Sequence, residues 1–221
     1  MIGHPRVHHR LVDSSNRVAR ELASAGAPHG TLVTADEQSA GRGRADRSWT
    51  APAGSSVLMS VVLRPAETLL SLRAAVAVAA VCGPGAAIKW PNDVLLDDRK
   101  ACGILVEGRP QEGWAALGIG LNVLAAPPEF AESATCLAAT GDPRPVPEVL
   151  DALLEELDAW LARPADAVLE AWRVRDALLG SEVRWSGGEG TAAGVDERGA
   201  LLVETAHGRV ALDAGEVHLS G

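Results

Sequence analysis

The sequence predicts an α+β fold: a mixed or antiparallel sheet with flanking helices, followed by a small β-barrel. Three observations carry this. Residues 55–64 (SSVLMSVVLR) and 114–123 are apolar, β-rich runs of strand length, as expected of strands buried on both faces. Residues 69–81 and 148–161 carry apolar side chains at helical length and spacing. From residue 181 onward, short strand-like runs alternate with Gly, Asp and His, a pattern that suits a barrel of about 40 residues.

The elements follow in order. Residues 8–12 read as a short strand. Asp13, Ser14 and Ser15 offer N-cap side chains for a helix to about Ala25, with Val18, Leu22 and Ala25 on one face and Gly26 and Pro28 ending it. Residues 31–35 form a strand that leads into a Gly/Arg loop. The strand at 55–64 is closed by Pro65, and the alanine-rich helix spans 69–81. Residues 86–90 are a strand stopped by Pro91. Residues 94–96 and 100–107, joined by the polar Asp97-Asp98-Arg99, form a hairpin, and 114–123 adds another strand. Proline-rich connections occupy 125–129 and 143–147. The helix at 148–161 presents Leu150, Leu153, Leu154, Leu157 and Leu161 as one core stripe, and a second helix covers 165–179 up to Gly180. Strands at 183–185, 191–195, 200–204, 209–212 and 216–219 complete the chain. The expected division is a main domain over 1–180 and a β domain over 181–221.

Composition excludes several classes. The 221 residues carry a formal net charge of -9, which argues against general nucleic-acid binding but leaves room for a local basic patch. No apolar run is long enough to span a bilayer, and the first residues lack the apolar segment of a secretory signal. Cys82, Cys102 and Cys136 are sparse and fit no metal or disulfide pattern, which suits a reduced cytoplasm. Six Trp, one Phe and no Tyr make the core mainly aliphatic.

Against this acidity stands Gly41-Arg42-Gly43-Arg44, followed by Arg47 and Trp49. Such a cluster is expected to face an anion, since guanidinium matches carboxylate and phosphate oxygens and glycine lets the backbone come close. A second segment, Lys89-Trp90-Pro91-Asn92-Asp93, then Lys100-Ala101-Cys102-Gly103-Ile104-Leu105-Val106-Glu107, lies about fifty residues on. Neither a P-loop nor a strand–Gly-x-Gly-x-x-Gly–helix unit is present, so a nucleotide would be held in another way.

These segments resemble biotin protein ligases. The remaining blocks fall in the family's order: Ser14-Ser15-Asn16, Glu37-Gln38-Ser39-Ala40 before the Gly/Arg loop, and Gly118-Ile119-Gly120-Leu121-Asn122. The resemblance implies a catalytic domain similar in fold to class II aminoacyl-tRNA synthetases, with an SH3-like C-terminal domain. It implies ATP and biotin as substrates, with Mg²⁺. The carboxylate of biotin would attack the α-phosphorus and release pyrophosphate. A lysine of a biotin carboxyl carrier protein domain, as in acyl-CoA carboxylases, would then displace AMP. Two anions must meet in the first step, so fixed cations would lower its barrier.

Residue by residue, the resemblance implies that Lys100 bridges the biotin carboxylate and the α-phosphate, and that Arg42 and Arg44 close over biotin and adenylate. Ser14, Ser15, Asn16, Gln38, Gly41, Gly43 and Gly103 join them around biotin. Arg44, Arg47, Trp49, Lys89, Asn92, Asp93 and Asn122 fall on the ATP side, with Asp93 as the metal contact. Structural alternatives stand beside these roles: helix capping for Ser14, core packing for Trp49, a solvated turn for Lys100, a β-bulge for Gly103 and a turn for Asn92-Asp93. Cys102 reads as a small buried hydrophobe. Within the loop, Ala45-Asp46 departs from the family's commoner basic or glycine-bearing pair, and Asp46 could pair with a neighbouring arginine.

Only about ten residues precede the Ser-Ser-Asn block, too few for a helix-turn-helix, so no sequence-specific DNA binding is expected. No membrane association is expected either. The family includes monomers and dimers, so a homodimer is allowed. A lipoate or octanoate ligase or transferase and a non-catalytic biotin or nucleotide sensor remain as alternative readings.

Overall fold

The computed structural model of the chain describes residues 2–213, 215 and 217–219. Its centre is an antiparallel pair, β3 (Ser56–Leu63) and β7 (Trp114–Asn122), aligned from Ser56 opposite Asn122 to Leu63 opposite Ala115. Every residue of β3 is buried, as the continuous apolar run requires. The other strands are β1 (Arg6–His9), β2 (Leu32–Ala35), β4 (Ala87–Lys89), β5 (Asp93–Leu96) and β6 (Arg99–Arg109). The order is β1-β2-β3-β7-β6-β5-β4. Only the β1–β2 pair in it is parallel, so the sheet is mixed.

Side-chain alternation sends successive residues to opposite faces. On one face Val33, Val62, Trp114 and Ala116 pack under α1 (Ser15–Ser24) through Ala19 and Ala23. On the other, Leu32, Val61, Leu117 and Ile104 join the main core under α2 (Leu70–Cys82) and α3 (Val146–Ala162). Arg73, only 5% exposed, crosses from α2 to the end of α3 and donates to the carbonyls of Trp160, Leu161 and Arg163. It thereby satisfies the carbonyls that a helix C-terminus leaves open.

Two boundaries differ most from expectation. The first strand is Arg6–His9 rather than 8–12, because it pairs in register with Leu32 to Ala35; Val12 makes only an isolated bridge to Gln38. The helix α4 (Ala165–Arg173) stops short of 179. Ile88 donates to the Arg175 carbonyl and accepts from the Ala177 N–H, so the open edge of β4 takes this stretch as a partner. Val174 and Leu179 are exposed, so continuing the helix would bury no apolar face there.

The C-terminal unit contains β8 (Glu182–Trp185), β9 (Gly188–Val195), β10 (Leu201–Thr205), β11 (Gly208–Leu212) and β12 (His218–Leu219), in the order β11-β10-β9-β8-β12. Among the described residues this is an open sheet with β11 and β12 at its edges, where the strand pattern suggested a closed barrel. Of the strand expected over 216–219, Glu216 lies outside the described residues. Among those residues no helix is long and apolar enough to cross a membrane.

Candidate active site

The α1 face of the sheet is only partly covered. Beyond Ala116, β7 turns to Gly118 and Gly120, whose cross-strand partners on β6 are Leu105 and Gly103. Ser60 of β3 lies on the same face. The three glycines and the serine leave a hollow where larger side chains would have filled the layer. The N-terminus of α1 forms one wall. Ser14 has the extended backbone of an N-cap, but its hydroxyl caps nothing. Ser15 takes Gln38 Oε1 on its N–H at 2.7 Å, and its hydroxyl meets Ser60 Oγ at 2.9 Å. Ser14, Ser15 and Asn16 are all buried. The result is a cavity of about 180 Å³ with hydroxyl and amide groups at one end.

The loop between β2 and β3 closes over this cavity as a small hairpin. Arg42 bridges to Ser48, Gly43 donates to the Arg47 carbonyl at 2.7 Å, and Trp49 donates to the Gly41 carbonyl at 2.9 Å. The turn is made by Ala45 and Asp46, both left-handed with φ of 50° and 57°. The glycines have a different task from turning. A Cβ on Gly41 would collide with the Trp49 carbonyl oxygen, and one on Gly43 would lie 3.3 Å from the Arg47 carbonyl oxygen. The Trp49 ring lies against the floor made by Gly103 and Gly120, where added Cβ atoms would come within 2.9 and 2.5 Å of it. Trp49 is only half-buried and packs against the cavity floor instead of joining the core, and it lines both this cavity and the adjoining one.

Lys100 enters from β6. The register with β5 slips between Val94 and Leu95, so that Leu95 pairs with Lys100 while Val94 pairs with Cys102. Simple alternation would send Lys100 to the Cys102 side, into the core under α2; the bulge lets it line the cavity. The bulge therefore lies beside Lys100, and Gly103 pairs regularly with Asp93 and Gly120. The strand is anchored here by Lys100 N–H to Ser133 O and Thr135 N–H to Lys100 O. Lys100 Nζ is 2.7 Å from Asp93 Oδ1 and 5.7 Å from the Trp49 ring centre. The left-handed pair Asp97-Asp98 makes the tight turn joining the two strands.

Arg42, Arg44, Arg47, Lys89 and Lys100 all line this cavity, with Asp93 as the nearby carboxylate. Asn92 donates to Ile104 O and accepts from Arg44 at 3.4 Å, linking the loop to the sheet. Arg44 also reaches Gly215 O of the C-terminal unit, and Val217 and His218 complete the wall. A second cavity of about 570 Å³ adjoins the first. It shares Arg47, Trp49, Lys89, Asp93 and Lys100 and adds Asn122 and Phe130. Asn122 is buried, and its amide is committed to Thr135 O and the Ser56 hydroxyl.

A polar end, an apolar floor, a cationic belt and a second adjoining cavity suit a ligand with a small polar head beside a polyanion. Comparison with known proteins agrees. Residues 9–123 match the model of the "Biotin/lipoate A/B protein ligase family", and residues 178–220 match "Biotin protein ligase C terminal domain". A biotin–[acetyl-CoA-carboxylase] ligase of Paracoccus denitrificans is 36% identical over 95% of this chain and 98% of its own. Its counterpart in Mycobacterium tuberculosis is 35% identical over 92% and 85%. This chain belongs to the biotin protein ligase family. A solved biotin protein ligase from Aquifex aeolicus, in complex with biotin and ATP, superposes with a TM-score of 0.83 at 28% identity, covering 98% of this chain and 99% of that one.

For this biotin protein ligase family member, the structure brings most sequence-predicted residues to one cleft. Gly41 is the one set back behind Trp49, and Asn122 faces the second cavity. Sequence reasoning gave no role to Ser60, Gly118 or Gly120, although a serine in an otherwise apolar strand and alternating glycines were visible signals. His218 and Val217 carried no such signal; only folding brings them to the cleft. Cys102 is fully buried, and desolvation raises its thiol well above the ordinary range, which leaves it inert as a nucleophile. Among the described residues no cluster of three or more metal-ligating side chains occurs.

Proposed function

We propose that this chain is an ATP-dependent ligase that activates biotin as biotinyl-5′-AMP and transfers it to a lysine of a biotin carboxyl carrier domain. The observation that carries the reading is the convergence of Lys100 with Arg42, Arg44 and Arg47, from segments far apart in sequence, on one cavity. In the first step a biotin carboxylate oxygen bonds to the α-phosphorus, and the bond to the pyrophosphate leaving group breaks. Lys100 exchanges its Asp93 partner for these two anions, and the arginines offset the charge that repels them. In the second step the neutral amine of the carrier lysine attacks the acyl carbon, the bond from that carbon to the AMP oxygen breaks, and the nitrogen gives up its extra proton to solvent as AMP departs. The loop hairpin shields the anhydride from water between steps.

In this reading Ser14, Ser15, Asn16 and Gln38 face the ureido ring of biotin. Asn16 Oδ1 is buried without a partner, an acceptor ready for a ligand N–H. Arg47, Lys89, Asn92 and Asn122 belong to the nucleotide side. A Mg²⁺ arriving with the triphosphate would meet Asp93, with Asp98 and Glu132 also on the wall of the second cavity, and would supply charge neutralisation; magnesium held largely by phosphates and water suits so dispersed a donor set. The catalytic unit is assigned to 1–180 and an SH3-like unit to 181–221, supported by five short strands in near-sequential order.

The test is pyrophosphate release and carrier labelling by the intact chain beside Lys100→Ala. We expect the variant to fold and to lose activity by about a hundredfold or more. Full activity would remove Lys100 from the mechanism. Preference for lipoate over biotin in a competition assay would reassign the substrate.

A further inference from the structure

Glu107 lies at the end of the Gly103–Glu107 run, outside the cavity lining, and nothing above gives it a task. It is on the α1 face of β6, opposite Ala116. Its side chain is 19% exposed and collects three donors from two other segments. Oε2 accepts from Asn16 Nδ2 at 2.6 Å. Oε1 lies 3.0 Å from Arg20 NH1 and 3.2 Å from Arg42 NH1. Asn16 and Arg20 belong to α1; Arg42 belongs to the closing loop.

We infer that Glu107 is a positioning residue that sets both the biotin-end acceptor and the closed loop. An ionised carboxylate only accepts hydrogen bonds. It therefore dictates which end of the Asn16 amide it meets: Nδ2 must face Glu107, and Oδ1 must face away. Oδ1 then points at the cavity beside Gly118, 3.0 Å from where a Cβ on that glycine would sit, with no other partner. The same carboxylate holds Arg42 by charge. Loop closure and the hydrogen-bonding polarity of the pocket thus share one anchor. A charged partner suits this task, because bonds to ionised groups are about twice as strong as neutral ones.

The inference deepens the proposed ligase reading and rests on it for its kinetic half. The experiment separates the two. Steady-state kinetics with biotin and trypsin cleavage within 42–47 of the free protein are measured for the wild type, Glu107→Gln and Glu107→Asp. In Glu107→Gln we expect the KM for biotin to rise about tenfold or more, with kcat within about threefold. Cleavage of the loop should quicken by a similar factor, a readout that needs no activity. Glu107→Asp keeps the charge with shorter reach and should fall between the two proteins on both measures; it carries the test if the glutamine variant does not fold. Wild-type KM and loop cleavage in the variants would overturn the inference, as would a loss confined to kcat. An inactive wild type would remove the ligase reading, while the cleavage comparison would still decide whether Glu107 holds the loop.

Discussion

Gly41 and Gly120 both abut Trp49, but a methyl group added to each would meet different resistance. On Gly120 it would press on the ring, at 2.5 Å from Cε2, and a ring on a surface loop can lift away. On Gly41 it would meet the Trp49 carbonyl oxygen, and backbone relieves such a clash only by opening the hairpin. Gly120→Ala is therefore expected to shift Trp49 fluorescence and cut biotin-dependent pyrophosphate release by about tenfold, and Gly41→Ala to cost nearer a hundredfold. Both should keep a melting temperature within about 3 °C of the wild type, since the loop lies outside the core. Wild-type turnover by Gly41→Ala would show that the hairpin geometry is dispensable. Gly41 and Gly43 read from the sequence as letting the backbone come close to a ligand; the close approach they permit is instead to the loop's own carbonyls at Trp49 and Arg47, while Ala45 and Asp46 make the turn. Which residue turns a loop depends on where its two arms must pack, and local composition holds no record of that.

At the scale of elements, strands and helices with a buried face were legible, and edges were not. The helix expected over 165–179 shows why: pattern continued past Arg173, but the N–H and C=O groups of β4 needed partners, and residues 175–177 supplied them. Asp176 lies at that junction. Its Oδ1 accepts from the Leu178 N–H at 2.9 Å, while Oδ2 is buried without a partner. Desolvation raises its carboxyl above the ordinary value of 3.8. A carboxyl raised in the folded state binds its proton more tightly there than in the unfolded chain. Stability from this group is full below the unfolded value and falls as pH rises through the folded one. Asp176→Asn keeps the Oδ1 acceptor and removes the charge. It should be more stable than the wild type at neutral pH by up to about 1 kcal/mol, a figure limited by the partial exposure of the group. The gain should shrink to a small remainder below about pH 3.8, where the carboxyl is mostly protonated in the folded chain and increasingly so in the unfolded one. Urea unfolding at pH 7.5 and pH 3.5 checks this; an equal effect at both would point to packing instead of charge.

At the scale of the whole molecule, the two family models suggest separable units, whereas the packing joins them. Val183, Val195, Leu201 and Val203 of the C-terminal sheet, with Val217 just before β12, share one apolar cluster with α2 and the main sheet. The buried Trp90 indole donates to Gly199 O at 3.0 Å, and Gly199 sits so close to Leu69 and Leu72 that a Cβ there would lie 2.9 Å from Leu69. Arg173 of α4 also donates to Val195 O. Trp90 belongs to the same segment as Asn92 and Asp93, so the interface and the cleft share a wall. Removing the C-terminal sheet would expose Trp90, Leu69 and Leu72 as one apolar patch and delete Val217 and His218 from the cavity. The intact chain should therefore unfold in a single calorimetric transition. A chain ended at Gly180 should melt about 5–10 °C lower or aggregate, because the interface contributes several kcal/mol of apolar burial. Two resolved transitions in the intact chain would instead make the C-terminal sheet an independent domain, and its side chains in the cleft would then be a detachable cap.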